Sequence, residues 1–336
     1  LGATGRPMLV LKGIDLDERL YGNVGARSMS DIDLLVQASD IPAFDNHFRA
    51  QGYEPTPRPH EALVRRGGQR LAHTGGVFGI KSGDVAGQNL LGFKAAGFWP
   101  SNRGVGGEPH QATVALFDPS TGRPLCIMDG NGITTARTGA AGGLGLQQLA
   151  RPESARICIF GTGVQARVQL QYALKLLHQP CTVQYVNITG EAEPAFEAAF
   201  QDRCDISVAK DRNDAVATSD VVITATPGGG ALFQADAVQA GTHLTCVGAD
   251  TAGKRELPDG VLQRARIFVD DELQARSIGE CQWARSLPCT EIGGLLSGTS
   301  SFSRSPSDIT VFDMTGLALQ DLTVARFLYE HAKEKH

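Results

Sequence analysis

A glycine pair that directly follows a short apolar run is the first feature of this sequence that points to chemistry. Residues 156–160 are Arg-Ile-Cys-Ile-Phe, and residues 161–165 are Gly-Thr-Gly-Val-Gln. Gly161 allows a tight turn after a strand, and Gly163 lets a pyrophosphate approach backbone N–H groups at a helix N-terminus. The pattern predicts a dinucleotide-binding turn, with a plain glycine turn in an α/β domain as the alternative.

The segments around this turn are typical of a doubly wound parallel sheet. Short runs of β-forming residues alternate with helical patterns. The predicted strands are 156–160, 182–188, 205–209, 220–226, 243–247 and 266–270. We therefore predict an α/β protein with a Rossmann-type dinucleotide-binding domain over residues 140–305.

A second, α+β domain is predicted to be discontinuous. Four antiparallel strands are expected ahead of the Rossmann domain, at 76–81, 88–94, 111–118 and 124–129. A helix over 131–150, rich in small residues, would link the two domains. A strand at 309–312 and an amphipathic helix from 317 to about 333 are expected to return to the first domain, which would comprise residues 1–139 and 306–336.

Composition limits the classes of partner. The 336 residues carry a formal net charge of -5 and no basic block, which argues against nucleic acid and anionic membrane surfaces. No apolar run approaches the ~18 residues of a membrane span. A small-molecule ligand is therefore expected.

The cysteines and histidines give no sign of a metal site. The seven cysteines are scattered, odd in number and without a C-x-x-C motif, and the eight histidines have no ligand spacing. The cysteines are interpreted as reduced thiols of a cytoplasmic protein. No metal is predicted.

Motifs in both predicted domains resemble the ornithine cyclodeaminase/μ-crystallin family. They are PHQATVALFDPSTG at 109–122, MDGN at 128–131, TTART at 134–138, GTGVQ at 161–165, VGAD at 247–250, GK at 253–254 and TVFD at 310–313. The resemblance covers roughly residues 70–330. It implies a homodimer in which a dimerisation domain and a Rossmann domain enclose a nicotinamide nucleotide and a small amino or imino acid.

The resemblance also implies roles for three basic residues. Arg70, Lys94 and Arg137 match positions that hold the substrate carboxylate, and Arg137 also approaches the cofactor. A guanidinium binds a carboxylate at two points, and a lysine whose pKa is lowered by burial among cations can also move a proton. The alternative is a set of solvated surface charges.

Asp250 matches the family's catalytic carboxylate, which contacts the substrate nitrogen. It follows the predicted strand 243–247 and would lie at the carboxyl end of the sheet, where doubly wound folds bind their ligands. A helix cap or turn is the alternative. The cofactor-binding residues expected from the resemblance are Arg137, Thr138, Gly161, Gly163, Val164, Gln165 and Lys254.

Asn187 bears on the choice of cofactor. It lies at the end of the second predicted Rossmann strand, where an acidic residue would favour the ribose hydroxyls of NAD and an arginine would accept the phosphate of NADP. An asparagine can bind a ribose without repelling a phosphate. NAD, with tolerance of NADP, is expected.

Lys81 separates branches of the family. Ornithine cyclodeaminases carry an acidic residue in the corresponding region, whereas a lysine would repel ornithine's ammonium group and favour a second substrate carboxylate. With GFK at 92–94 and FWPSN at 98–102, the segment resembles the iminosuccinate reductase branch. Reduction of iminosuccinate to aspartate is the hypothesis. The alternatives are an ornithine cyclodeaminase, which forms proline and ammonia, and a non-catalytic NADP-binding μ-crystallin-like protein.

Residues 1–57 do not resemble the usual start of that family. They resemble a fragment of a nucleotidyltransferase-like domain, in which Asp31 and Asp33 would face the same way on a strand and hold Mg²⁺. The fragment lacks an upstream Gly-Ser motif and an obvious third carboxylate. We interpret the segment as packing on the dimerisation sheet.

Overall fold

The chain forms two units, residues 1–61 and residues 62–336. The computed structural model describes residues 8–10, 34–36, 67–71, 76–177 and 181–334. In the first unit, strands β1 (Met8–Val10) and β2 (Leu34–Val36) pair antiparallel, with Met8 opposite Val36. The carboxylates predicted to hold Mg²⁺, Asp31 and Asp33, lie outside the described residues.

The second unit begins with an antiparallel sheet of five strands in sequence order. They are β3 (Gly67–Leu71), β4 (Gly76–Val85), β5 (Leu90–Phe98), β6 (His110–Phe117) and β7 (Pro124–Asp129). The four strands predicted between residues 76 and 129 are all present. Residues directly opposite one another share a face of the sheet, so the pairing of Lys81 with Lys94, and of Lys94 with Val114, aligns these three side chains.

Two helices cover that face of the antiparallel sheet. Helix α1 (Gly130–Leu149) directly follows β7 and is capped by Asp129, whose carboxylate accepts the N–H of Asn131 at 2.9 Å. The other helix is the last one of the chain, Ala318–Lys333, and its Leu322 packs with Leu116 and Ile133 in the core of this layer.

A parallel sheet of eight strands forms the rest of the second unit. Its strands are β8 (Arg156–Phe160), β9 (Thr182–Val186), β10 (Asp205–Val208), β11 (Val221–Thr224), β12 (His243–Cys246), β13 (Ala265–Val269), β14 (Cys289–Glu291) and β15 (Ile309–Asp313), and their order is β10-β9-β8-β11-β12-β15-β13-β14. Central strands such as β11 are fully buried and mainly apolar because both faces of the sheet are covered. The predicted α/β fold with a doubly wound sheet and an antiparallel layer is confirmed.

Short and medium helices follow these strands along the chain. They are α2 (Val164–Leu176), α3 (Pro194–Glu197), α4 (Arg212–Ala217), α5 (Val261–Arg264), α6 (Glu272–Ile278) and α7 (Ile292–Ser297), with α8 being Ala318–Lys333. One apolar core contains Cys158 and Phe160, and a separate one contains Ile157 and Ile159. This is expected because alternate side chains of one strand point to opposite faces of the sheet. Within the described residues, no helix combines the length and apolarity that crossing a membrane requires.

The domain boundaries differ from the predicted ones at two places. The strand predicted at 309–312 does not join the antiparallel layer, because β15 lies between β12 and β13 in the parallel sheet. All five of its residues are buried, as suits a central parallel strand. Only α8 returns to the antiparallel sheet. The other predicted boundary, between residues 139 and 140, falls inside the continuous helix α1.

Glycines let α1 pack closely against the parallel sheet and α2. A Cβ at Gly142 would overlap the amide of Gln169, and one at Gly145 would overlap the ring of Phe312. These glycines lower the helix propensity of α1, but larger residues in their place would push the layers apart.

Candidate active site

The predicted glycine turn lies where β8 ends, at the centre of the parallel sheet. Gly161 has φ of 99°, and a Cβ there would lie 2.6 Å from the carbonyl oxygen of Ala225. Its N–H donates to the carbonyl of Val186, at the end of the neighbouring strand, at 2.8 Å. Both the left-handed backbone and the close approach require glycine at this position.

The N-terminus of α2 fits an anionic group. Gly163 is the N-cap, and no side chain caps the first turn of this 13-residue helix. A Cβ on Gly163 would meet nothing within 4 Å, so the backbone is open to a ligand. Uncapped N–H groups and the helix dipole together favour a phosphate here. The side-chain oxygen of Gln165 is buried without a hydrogen-bond partner.

A cleft of about 480 Å³ lies between α1 and α2. Asn131 and Thr135 line it from α1, and Val164, Val168 and Tyr172 line it from α2. The open N-terminus of α2 therefore adjoins a space large enough for part of a dinucleotide.

The two predicted lysines lie side by side on the inner face of the antiparallel sheet. The Lys94 ammonium is 2.9 Å from Oδ1 and 2.8 Å from Oδ2 of Asp321, and it is 3.4 Å from the hydroxyl of Thr134. The Lys81 ammonium donates to the carbonyls of Thr315 and Gly316, at 2.8 Å each. Both ammonium groups thus point toward the start of α8.

Arg137 completes this group of cations. Its Nε donates to Asp321 Oδ1 at 3.0 Å, and its Nη1 donates to the side-chain oxygen of Gln320 at 3.0 Å. Gly316 has φ of 78°, and a Cβ there would lie 2.5 Å from the Arg137 guanidinium. We call Lys81, Lys94, Arg137 and Asp321 the charged cluster.

Burial and mutual repulsion weaken the basicity of both lysines. Burial lowers the pKa of Lys81 and of Lys94 to about 8, and the positive charge of Arg137 acts in the same direction on each. The negative charges of Asp270 and Asp250 oppose the shift at Lys81, and Asp321 opposes it at Lys94. Asp250 therefore acts electrostatically on the cluster, although it lies in a loop that follows a strand of the parallel sheet.

The loop that joins β15 to α8 is held firmly beside the cluster. Asp270, directly after β13, accepts the N–H of Thr315 at 2.9 Å and its hydroxyl at 2.7 Å. Gln274 on α6 donates to the carbonyl of Gly316 at 2.7 Å. The carbonyls that receive Lys81 are thereby fixed by the Rossmann layer.

Asp250 lies after β12, at the predicted carboxyl edge. It is 53% exposed and forms an ion pair of 2.6 Å with Lys254, which places both predicted residues together. The loop behind them is fixed by the buried Glu256, which accepts the N–H of Gly248 at 2.8 Å and that of Thr226 at 2.7 Å. An exposed carboxylate on a fixed loop can contact a ligand at this edge.

A chain of buried acids supports that loop. Glu280 accepts the N–H of Glu256 at 2.7 Å, and Asp313 accepts the N–H groups of Glu280 and Cys281 at 2.9 Å each. Burial raises the pKa of Asp313 to about 7, and burial together with the charge of Asp313 raises that of Glu280 to about 8. These acids act on the backbone and do not face the cluster directly.

Three further predicted site residues are Thr138, Asn187 and Arg70. The hydroxyl of Thr138 is buried and donates to the carbonyl of Thr134 within α1. The side chain of Asn187 binds its own loop, through Gly190 and Glu191, at the end of β9. For Arg70, the backbone pairs with Val77, and its side chain is not described. Their roles in binding stay predictions.

Sequence reasoning missed Asp321 and His110. The buried positions of α8 are 318, 321, 322 and 325, which have helical spacing. Asp321 therefore lies on the buried face of an amphipathic helix, and this pattern is visible in the sequence. His110 shares the face of Lys94, and its Nδ1 is 3.1 Å from the Asn131 oxygen. Burial lowers its pKa, and the charges of Lys94 and Arg137 add to that effect while the Asn131 bond opposes it. The motif at 109–122 contains His110, but the resemblance gave this residue no role.

All seven cysteines are free thiols. In the described part of the chain, no three His, Cys, Asp or Glu side chains come together in a way that could hold a metal ion.

Comparisons with known families support both resemblances. The model of the "Ornithine cyclodeaminase/mu-crystallin family" matches residues 69–336. The model of an "Uncharacterised nucleotidyltransferase" matches residues 1–77.

Individual relatives cover most of the chain. The iminosuccinate reductase of Paracoccus denitrificans is 34% identical over 284 residues, which are 80% of this chain and 85% of the relative. The alanine dehydrogenase of Archaeoglobus fulgidus is 36% identical over 252 residues, 73% of this chain and 78% of the relative. Among solved structures, an archaeal alanine dehydrogenase dimer with bound NAD has a TM-score of 0.75 at 31% sequence identity, and the match covers 82% of this chain and 86% of that one.

Proposed function

The chain belongs to the ornithine cyclodeaminase/mu-crystallin family, and we propose that it is a nicotinamide-dependent oxidoreductase that reduces iminosuccinate to aspartate. The observation that carries this substrate is the pairing of Lys81 with Lys94 on one face of the sheet, beside Arg137. Three cations and the single carboxylate of Asp321 give the charged cluster a formal charge of 3 − 1 = +2 when both lysines are protonated. A dicarboxylate carries the complementary charge.

We propose NAD as the cofactor, with tolerance of NADP. The open N-terminus of α2 would hold the pyrophosphate, and Gly161, Gly163, Val164 and Gln165 would form its immediate surroundings. The cofactor supplies a hydride for the imine carbon. Asn187 is neutral and would not repel the phosphate of NADP.

The chain's own residues would bind the substrate and supply its proton. Arg137 would hold one carboxylate, with the predicted help of Arg70, and Lys81 and Lys94 would receive the other. Reduction of a C=N bond adds a hydride at carbon and a proton at nitrogen. Asp250, exposed at the opposing edge and held by Lys254, would bind or protonate that nitrogen. With its pKa near 8, Lys94 could also release a proton close to neutral pH.

We further propose that the protein is a homodimer formed through the outer face of the antiparallel sheet. That face exposes Phe78 by 36%, Ile80 by 44% and Ile127 by 75%. Apolar side chains clustered on one sheet face mark an interaction surface. The archaeal alanine dehydrogenase is described as a dimer. Replacement of Ile127 by Asp should convert the dimer to a monomer in sedimentation experiments, and an unchanged mass would contradict the proposal.

The decisive experiment offers the protein two substrates in parallel. NADH oxidation is followed with oxaloacetate and ammonia, which form iminosuccinate in solution, and L-ornithine with NAD is assayed for proline and ammonia. Aspartate formation supports the proposal. Proline and ammonia would instead establish a cyclodeaminase and refute the argument from Lys81. NADH binding without turnover of either substrate would refute both the reductase and the cyclodeaminase assignments.

A further inference from the structure

We infer that Asp321, on the C-terminal helix, is the positioning residue that holds Lys94 and Arg137 in the geometry that receives the substrate carboxylates. The inference rests on the proposed function, because it concerns the same cations. Asp321 would not touch the substrate. It would act through the two side chains that do.

The distances join all three groups through one carboxylate. Asp321 Oδ1 accepts both the Lys94 ammonium, at 2.9 Å, and Arg137 Nε, at 3.0 Å, while Oδ2 lies 2.8 Å from the same ammonium. The Asp321 side chain is 0% exposed and that of Lys94 is 5% exposed, so water does not compete for these bonds. Charge-assisted bonds of this length in a dry environment fix orientation strongly.

The arrangement leaves one edge of the guanidinium for a ligand. The bonds recorded for Arg137 in the described residues use Nε toward Asp321 and Nη1 toward Gln320. Nη2 therefore remains for a substrate oxygen. Asp321 and Gln320 are adjacent in sequence, so the first turn of α8 sets the rotation of the guanidinium plane.

The backbone of Asp321 is itself fixed. Its neighbour Leu322 is fully buried, and so is Ala325, and Leu322 lies in the core beneath the antiparallel sheet. Asp321 also lies in the first turn of a 16-residue helix, where the helix dipole favours a negative charge. Core packing therefore holds the Asp321 carboxylate in place, and its position does not depend on bound substrate.

The charge of Asp321 also sets the protonation of its partner. The pKa of Lys94 is lowered to about 8 by burial first and by Arg137 second, and both the charge and the hydrogen bond of Asp321 oppose that shift. Replacement of Asp321 by Asn keeps a side chain of the same shape but removes the opposing charge. The pKa of Lys94 should then fall below its present value of about 8.

The test compares Asp321→Asn with Glu330→Gln, which removes an exposed carboxylate from the same helix. The titration midpoint of Lys94 is followed by NMR of ¹³C-labelled lysine side chains, with the Lys94→Met spectrum to assign its signal. Asp321→Asn should move that midpoint to lower pH and raise KM for the imino acid roughly tenfold. Glu330→Gln should change neither of these.

A merely structural role gives a different result. An unmoved Lys94 midpoint and an unchanged KM in Asp321→Asn, with NADH bound normally, would overturn the inference. If Asp321→Asn fails to fold, Asp321→Glu keeps the charge and displaces it by one methylene, and it should raise KM while the Lys94 midpoint stays in place; an unchanged KM would again overturn the inference. The NMR measurement needs no turnover, so an absence of reductase activity in the wild type would refute the proposed function separately.

Discussion

Lys81 and Lys94 lie directly opposite each other on neighbouring antiparallel strands. Like charges at such positions destabilise a sheet. The structure compensates with two backbone carbonyls at Lys81 and one carboxylate at Lys94. A site that keeps this repulsion is prepared for a further anion, which would relieve it on binding.

Binding of a dicarboxylate should weaken in alkaline solution. Because the pKa values of Lys81 and Lys94 are lowered to about 8, both charges are present below that pH and are lost above it. Succinate, which stays a dianion throughout, should bind the NADH complex progressively more weakly as the pH rises from about 6.5 to about 9.5. Inhibition constants measured across this range check the prediction.

The control for this pH dependence is Lys81→Arg. A guanidinium does not titrate in this range, so the variant should lose affinity less steeply above pH 8. A succinate affinity that is constant with pH in the wild type would refute the assignment of the lysines to anion binding.

Lys81→Glu should strongly reduce dicarboxylate turnover without loss of nucleotide binding. The change replaces attraction by repulsion at the second carboxylate, and kcat/KM for iminosuccinate should fall by roughly 100-fold, equivalent to about 2.7 kcal/mol. Lys175→Glu, an exposed position on α2, makes the same charge change away from the cluster. Lys81→Met loses the bonds to Thr315 and Gly316 without adding a negative charge, so it separates the effect of that loss from the effect of repulsion. Unchanged iminosuccinate turnover in Lys81→Glu would remove the reason for preferring a dicarboxylate.

Glu280→Gln should flatten the dependence of stability on pH. Burial, followed by the charge of Asp313, raises the pKa of Glu280 to about 8 from its ordinary 4.5. A raised native pKa means that the stabilisation is complete below the unfolded value and is lost as the pH rises through about 8. The variant should gain on the order of 2 kcal/mol relative to the wild type across that window. Urea unfolding at several pH values measures it, with exposed Glu153→Gln as the control. Parallel pH profiles for wild type and Glu280→Gln would contradict the prediction.

Local signals were sufficient for most of the fold. Parallel strands such as β8, β11 and β13 are short, mainly apolar runs, and the turn at Gly161 needs a positive φ that glycine supplies. The place of β15 could not be read in this way, because the order of strands depends on contacts between distant segments. An apolar run at 309–312 suits any buried strand, and nothing local assigns it to one sheet.

The site was predicted less completely than the fold. Motifs predicted roles for Lys94, Arg137 and Asp250, the residues expected to meet the substrate. Asp321 meets other side chains, and its signal is a carboxylate at a buried position of an amphipathic helix. His110 belongs to the motif at 109–122, but its proximity to the cluster follows from the register of β5 and β6, which the motif does not give.

Two glycines of α1 should respond to alanine in opposite directions. Gly145→Ala places a Cβ against the ring of Phe312 and should destabilise the protein by about 1–3 kcal/mol. Gly132→Ala meets nothing within 4 Å and should stabilise it by about 0.5–1 kcal/mol, through helix propensity alone. Thermal unfolding of both variants measures the difference. Similar melting temperatures would show that the contact between α1 and the sheet is looser than described.

The position of β15 has a consequence for the nascent chain. β15 joins β12 and β13, yet it leaves the ribosome after every other strand of that sheet. Until Ile309–Asp313 emerges, β12 and β13 each present an open edge, and such edges are where chains aggregate. The same late segment brings Asp321 to the two cations. Closure of the sheet and assembly of the charged cluster therefore both depend on this late segment, and a prematurely terminated chain obtains neither.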